Sequence, residues 1–310
     1  MTTPEQVARL RTSRLLRREA LDGYLFIAPW LIGFVLFVAG PMLGSIWLVL
    51  MRWDLLSPPQ WAGLANIQSL FTNRLVGISL WNTAFYTFLS VPIGLAVSLG
   101  AALLLNQRLQ FQSWFRTAFY LPSVTPAVAN AMLWLWILNP DIGLANNLLR
   151  MVGLPPLKWI YDPALAKPTL VMLSLWGIGN TMIVFLAGLQ NIPQSLYEAA
   201  EIDGAQWWQR FRYVTLPMLS PVILFNLIIG IIASFQVFTS AYLLTSGTAT
   251  GGPQNSLLFT VLYIYRLGFE QFDMGAASAL AWLLFLIILI FSLIQLRLSR
   301  AWVYYEGGEA

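Results

Sequence analysis

Six stretches of this chain contain no Asp, Glu, Lys or Arg: Tyr24–Met51, Trp81–Leu105, Thr117–Leu138, Thr169–Leu189, Met218–Leu244 and Ala276–Leu296. About 20 apolar residues in helical form cover the hydrocarbon core of a bilayer, so each run is predicted to cross a membrane once. No other feature restricts the fold as strongly. Composition agrees, with 58% of the 310 residues hydrophobic and 10% charged, where soluble domains carry about 25% charged residues. The first run follows a basic segment but is too long for a signal-peptide core, and no convincing small-residue cleavage site follows it. It reads as a retained span.

The placement of Lys and Arg sets the expected direction. With the N-terminus inside, the inner segments hold Arg9, Arg11, Arg14, Arg17, Arg18, Arg108, Arg116, Arg210, Arg212, Arg297 and Arg300; the outer ones hold Arg52, Arg74, Arg150, Lys158, Lys167 and Arg266. That asymmetry predicts cytoplasmic ends on both sides of the chain. It also explains the net charge of +4 without nucleic acid, because the cations lie in short segments between apolar runs. The layout is a cytoplasmic tail at 1–21, a transmembrane domain at 22–297 and a cytoplasmic tail at 298–310. Trp30, Trp53, Trp81, Trp114 and Trp136 stand near run ends, where indoles anchor at the interface. Pro41, Pro92, Pro122 and Pro126 are expected to kink helices. The longer outer segments, Asn139–Pro168 and Thr245–Met274, are rich in turn formers ("NPDIG", "GLPP", "GTATGGP") and read as loops too short for a separate domain.

Several chemistries are excluded by residue type. The chain has no Cys and no His, so it lacks thiolate metal sites and the commonest general base. Charges inside a membrane mark proton relays and voltage sensors, and none falls within the six runs as drawn. Neither Lys158 nor Lys167 sits in a phosphate-binding G-x-x-x-x-G-K-[ST] pattern. If the chain drives transport, another chain must supply the energy. Neutral polar groups do occur in the runs: Ser174, Asn180 and Thr181 in the fourth; Asn226, Ser234, Gln236 and Thr239 in the fifth. They read either as interhelical hydrogen-bonding groups or as a path for an uncharged, hydroxyl-rich solute, with Phe235, Phe238 and Tyr242 available to stack on sugar faces.

The longest inner segment, 190–217, reads "QNIPQSLYEAAEIDGAQWWQRFRYVTLP". Ser195 followed by Glu198 has capping-box spacing. Gly204 supplies a helix stop. Leu216 and Pro217 open the next span, with proline expected in its first turn. The segment is therefore expected to be a helix–turn–helix. Two roles compete. Trp207, Trp208 and Phe211 suit a membrane-surface helix with Arg210 and Arg212 on anionic lipid. Small Ala199, Ala200 and Ala205, with Glu198, Glu201 and Asp203, suit a docking element for a soluble protein, and the carboxylates favour docking.

"EAAEIDGAQWWQRFRYVTLP" resembles the EAA signature of ABC importer permeases, matching at Glu198, Ala199, Ala200, Asp203, Gly204, Ala205, Phe211, Leu216 and Pro217. The likeness extends over nearly the whole chain. "NTAFYTFLSVPIGLAVSLGAALLLN", "VFLAGLQNIPQ" and "SFQVFTSAYLLTSG" are similar to the carbohydrate-uptake branch, the maltose-F and glycerol-3-phosphate permease type, in its short form. The resemblance implies an all-α integral membrane protein with the six-span type I permease fold, in the bacterial inner membrane. It implies that the helix at Glu198 is a coupling helix seated in an ATPase subunit. It further implies a second homologous permease, two ATP-binding subunits carrying ATP and Mg, an extracytoplasmic solute-binding protein, and a sugar as cargo. This chain would be noncatalytic and hold no cofactor or metal. The implied substrate path runs through Ser174, Gly177, Asn180, Thr181, Ser234, Gln236, Val237 and Phe238. A secondary transporter with a neutral polar site is the alternative reading; an intramembrane enzyme ranks third, lacking His, Cys and a buried carboxylate pair.

Overall fold

The computed structural model describes residues 14–107, 110–245, 247 and 249–304. Arg9, Arg11, Arg108, the Ser246 of "SFQVFTSAYLLTSG" and the Thr248 of "GTATGGP" lie outside them.

The elements follow the apolar runs. α1 (Glu19–Val49) leads through a hairpin of β1 (Met51–Arg52) and β2 (Gln60–Trp61), paired antiparallel with Met51 opposite Trp61, to α2 (Ala65–Thr72) and α3 (Arg74–Leu105). Next come α4 (Gln112–Val124), α5 (Ala127–Ile137) and α6 (Leu144–Met151). α7 (Pro163–Ser174) and α8 (Gly179–Gln190) form a bent pair. α9 (Gln194–Ile202), α10 (Trp207–Phe235), α11 (Thr239–Leu244), α12 (Thr260–Tyr265) and α13 (Met274–Ser299) complete the chain. Among the described residues α1, α3, α10 and α13 are each long and apolar enough to cross a membrane, and α7 with α8 makes a fifth if the pair, bent by 51°, counts as one span. Helix dominates because a backbone N–H with no partner in hydrocarbon costs several kcal/mol, and a helix pairs them all internally.

Three expected boundaries shift, each for a local reason. The run Thr117–Leu138 is two helices, since Pro126 lacks an N–H and forces Thr125 into extended geometry (ψ 131°). The run Met218–Leu244 breaks after Phe235, with Gln236–Phe238 outside the helices on either side. α7 starts at Pro163, where Asp162 caps it by accepting from Ala164 N at 2.8 Å. Lys167 therefore lies inside the helix, two residues ahead of the run as drawn.

Pro217 is not in a first turn. α10 begins at Trp207 and widens into a π-turn at Phe211–Thr215, where Leu216 N bonds Phe211 O. The wider turn rewinds the ladder just ahead of a proline that cannot donate. α1 uses the same device before Pro41, with a π-turn at Val35–Ala39 and Gly40 N bonding Val35 O.

Part of the segment expected to be an outer loop, residues 256–263, is core instead. Leu257, Leu258, Phe259 and Leu262 are at most 1% exposed. Asn82 of α3 holds it by donating to Asn255 O (2.8 Å) and Leu258 O (3.1 Å), and Thr83 Oγ1 accepts from Thr260 N (2.9 Å). Asn66 similarly clamps the end of α1 and β1, donating to Val49 O and Met51 O at 2.8 Å each.

These contacts sort the bundle into two ends. α9 packs near the Leu105 end of α3, where Ala102, Leu105, Phe185, Leu189 and Leu219 form a core against Tyr197 and Val214. The segment 249–260 packs at the Arg74 end. The C-terminal segment returns to the α9 end, with Tyr304 N donating to Ser220 Oγ at 2.8 Å.

Candidate functional site

Two features stand out, a polar elbow at one end and a polar-lined cavity between the helices.

The elbow is α9 and its stop. Ser195 is not the N-cap. Pro193 takes that place, with Leu196 N donating to its carbonyl at 3.1 Å, so the helix begins one residue before Ser195 and the expected capping box does not form there. A reciprocal bond occurs instead at the start of α10, where Gln206 N donates to Gln209 Oε1 at 2.7 Å. The C-terminal stop is as read: Gly204 has φ +76°, its N–H reaches Glu201 O (3.0 Å), and Ala205 N reaches Ala200 O (2.9 Å). This is a Schellman closure, which spends the last carbonyls and reverses the chain within three residues.

Across the turn Arg210 Nη1 pairs with Glu201 Oε1, the sole ion pair among the described residues. Arg210 is thus committed within the elbow rather than offered to lipid. Tyr197 Oη and Thr215 Oγ1, 3.0 Å apart, tie α9 to the π-turn. Trp207 stacks on Phe211 at 5.7 Å with rings 4° from parallel. Glu198, Ala199, Asp203 and Gly204 face solvent, Ala200, Ala205 and Phe211 are half-buried, and Leu216 and Pro217 lie partly buried at the root of α10. The sequence reading missed Ile202. This apolar side chain at the last position of α9 is 86% exposed, and its place beside the carboxylates is the signal that could have found it.

The cavity, about 310 Å³, lies between α3, the α7–α8 break and α10. Ser174, Gly177, Thr181, Ser234 and Val237 line it, as the sequence reading grouped them. Phe238 instead joins a ring cluster, 5.3 Å from both Tyr242 and Tyr265. Asn180 and Gln236 are exposed and do not line the cavity. The missed wall is α3, where Tyr86, Ser90, Gly94 and Ser98 recur every fourth residue on one face. α10 contributes Asn226, Gly230 and Ser234 at the same spacing. Ser98 Oγ is buried with no hydrogen-bond partner. A second cavity of about 190 Å³ shares Tyr86, Ser174 and Gly177 and adds Asn130, Trp134 and Ser240. The Trp134 indole N–H is buried without an acceptor, an uncommon state for a buried donor. Hydroxyls, small residues and a free indole N–H suit a neutral, hydroxyl-rich ligand, and among the described residues no cluster of acidic side chains suits a metal.

Residues 90–304 match the family described as "Binding-protein-dependent transport system inner membrane component". The chain is 41% identical over 303 residues to the probable ABC transporter permease protein YesP of Bacillus subtilis (strain 168), covering 97% of each. It is 36% identical over 292 residues to the trehalose/maltose transport system permease protein MalF of Thermococcus litoralis, covering 93% of this chain and 97% of that one. A solved bacterial alginate ABC transporter, in complex with an alginate pentasaccharide-bound periplasmic protein, contains a chain of the same fold, with TM-score 0.82, 26% identity, and coverage of 94% of this chain and 98% of that one. The elbow, the polar cavity and the family match over most of the chain converge, and the protein belongs to the binding-protein-dependent ABC importer permeases.

Proposed function

We propose that this chain is one of two unlike permeases in an ATP-driven, binding-protein-dependent sugar importer. The observation that carries the reading is the elbow. A rigid, Schellman-closed helix presents Glu198, Asp203 and Ile202 at one end of an otherwise apolar bundle, in a chain with no nucleotide-binding sequence of its own. A polar tip on a firm mount fits a soluble partner that must push on the membrane helices. On this reading α9 is the coupling helix and faces the cytoplasm, with both chain ends on the same side. α4 with α5 and α7 with α8 each make one crossing, for six in all. The cavity walls of α3, α8 and α10 form part of the sugar path, which the second permease completes. Two ATPase subunits carry ATP and Mg, and an extracytoplasmic binding protein delivers the sugar at the Arg74 end of α3. The relatives' names support sugar as cargo: trehalose/maltose in one, lactose in another and arabinooligosaccharides in a third.

The test is reconstitution. The chain with its co-expressed permease and ATPases should take up sugar into vesicles only with internal ATP and a loaded binding protein. Glu198→Lys should abolish ATPase retention while the permease still inserts, because Glu198 is exposed. Uptake without any ATPase would refute the reading.

A further inference from the structure

Above the cavity, at the end of the bundle away from α9, Lys167 carries a charge that no carboxylate among the described residues neutralises. Among the described residues no carboxylate lies within 4.0 Å of its ammonium. Its Nζ donates to Asn82 Oδ1 at 3.1 Å and sits 5.1 Å from the centre of the Phe85 ring. Asn82 is itself fixed, 3% exposed, with its amide nitrogen donating to the carbonyls of Asn255 and Leu258. The orientation of that amide leaves Oδ1 as the acceptor that holds the lysine. An ammonium has three donors and this one spends a single bond among the described residues. Lys167 is half-buried, so the unspent donors have limited access to water. Such an ion is costly within a membrane protein and marks a place where a partner charge arrives.

The position says which partner. Lys167 and Leu170 are a helical turn apart on α7, and Leu170 and Ser174 both line the smaller cavity. Asn82 and Tyr86 are likewise a turn apart on α3, and Tyr86 lines both cavities. The lysine therefore stands at the head of the two stripes that form the path.

We infer that Lys167 reads a negative charge on the solute, so that the carried sugars include ones bearing a carboxylate, as in a uronic acid, which Lys167 engages as the sugar enters the path. This rests on the sugar-importer reading and adds to it a charged substrate class and a residue that selects it. A carboxylate would replace water on the free donors and neutralise the ion, while the rest of the ring meets the hydroxyl and indole groups below.

The test uses the whole importer in vesicles, with binding protein saturated by each sugar in turn. The probes are digalacturonate, its methyl ester, and the neutral disaccharide galactobiose. Wild type should take up digalacturonate faster than its methyl ester. Lys167→Gln should lower digalacturonate uptake about tenfold, the scale of one charged hydrogen bond, and lower neutral-sugar uptake far less, while Lys167→Arg should keep most of the digalacturonate uptake. If Lys167→Gln fails to assemble, the acid-against-ester comparison on wild type decides. Equal loss of charged and neutral uptake in the variant, or a wild type that ignores the carboxylate, overturns the inference. Absence of ATP-driven uptake of any sugar would instead overturn the importer reading beneath it.

Discussion

A graded series at Gly204, with Asn, Ala and Pro in turn, isolates the turn that stops α9. The residue sits at φ +76° with no heavy atom within 4 Å of where a Cβ would be, so Ala meets no clash and its cost is conformational alone. A non-glycine residue in left-handed geometry costs about 1–2 kcal/mol, or roughly 5–30-fold in the population of the closed turn. Asn tolerates that geometry better and should cost less. Pro cannot reach the required φ and deletes the donor of the 3.0 Å bond to Glu201 O, for about 3 kcal/mol or more and roughly a hundredfold. Since α9 packs on the rest of the chain mainly through Tyr197, the damage should stay in the elbow. The assay is the amount of ATPase that co-purifies per permease in detergent, with binding-protein-stimulated ATP hydrolysis in nanodiscs, normalised to membrane-inserted chain. Coupling should fall in the order Gly, Asn, Ala, Pro while insertion stays constant. A Pro variant that couples like wild type, or an Ala variant that loses insertion and coupling together, would refute the argument.

Three further changes probe the scaffold and the path. Thr83→Val removes the acceptor of Thr260 N–H, 2.9 Å away between two fully buried residues; it should cost about 1–3 kcal/mol and lower the thermal unfolding midpoint of the purified complex. Gly179→Ala would press a methyl to 2.7 Å from Phe119 O and 2.8 Å from Tyr120 Cα. It should separate α8 from α4 at a cost of about 1–3 kcal/mol, seen as a lower midpoint and faster proteolysis near residue 125. Trp134→Phe deletes the unpaired indole N–H and also shrinks a ring packed on the core. It should lower the midpoint slightly and raise the half-saturating sugar concentration in vesicles by roughly threefold to tenfold.

Much of this molecule was readable before any coordinates. The apolar runs placed the long helices, because in lipid the backbone has no alternative to internal pairing. Gly204 was readable because its role needs only local geometry. The errors came from interactions between segments or from competition among local signals. Ser195 looked like a cap, yet Pro193 sets the boundary ahead of it. Pro217 looked like a first-turn proline, yet the helix runs on upstream and absorbs it in a π-turn. The segment 257–265 ("LLFTVLYIY") was taken for part of a loop because glycine and proline precede it; Asn82 and Thr83, over 170 positions earlier, draw it into the core. The cavity was half seen. Polar residues in the fourth and fifth runs were noted, but Tyr86, Ser90, Gly94 and Ser98 were passed over although their four-residue spacing was in plain view. Asn180 and Gln236 were included because they are polar, and neither points into the cavity.

The central claim is that α9 is the contact to a cytoplasmic ATPase. The chain has no cysteine, so Glu198→Cys supplies its sole thiol on an exposed position of α9. Treated in native membranes after co-expression with a short cross-linker carrying a maleimide at one end and an amine-reactive succinimidyl ester at the other, that variant should cross-link to the ATPase subunit through a lysine of the ATPase and should resist a membrane-impermeant maleimide added to intact cells. Labelling from outside, with no ATPase adduct, would contradict the account.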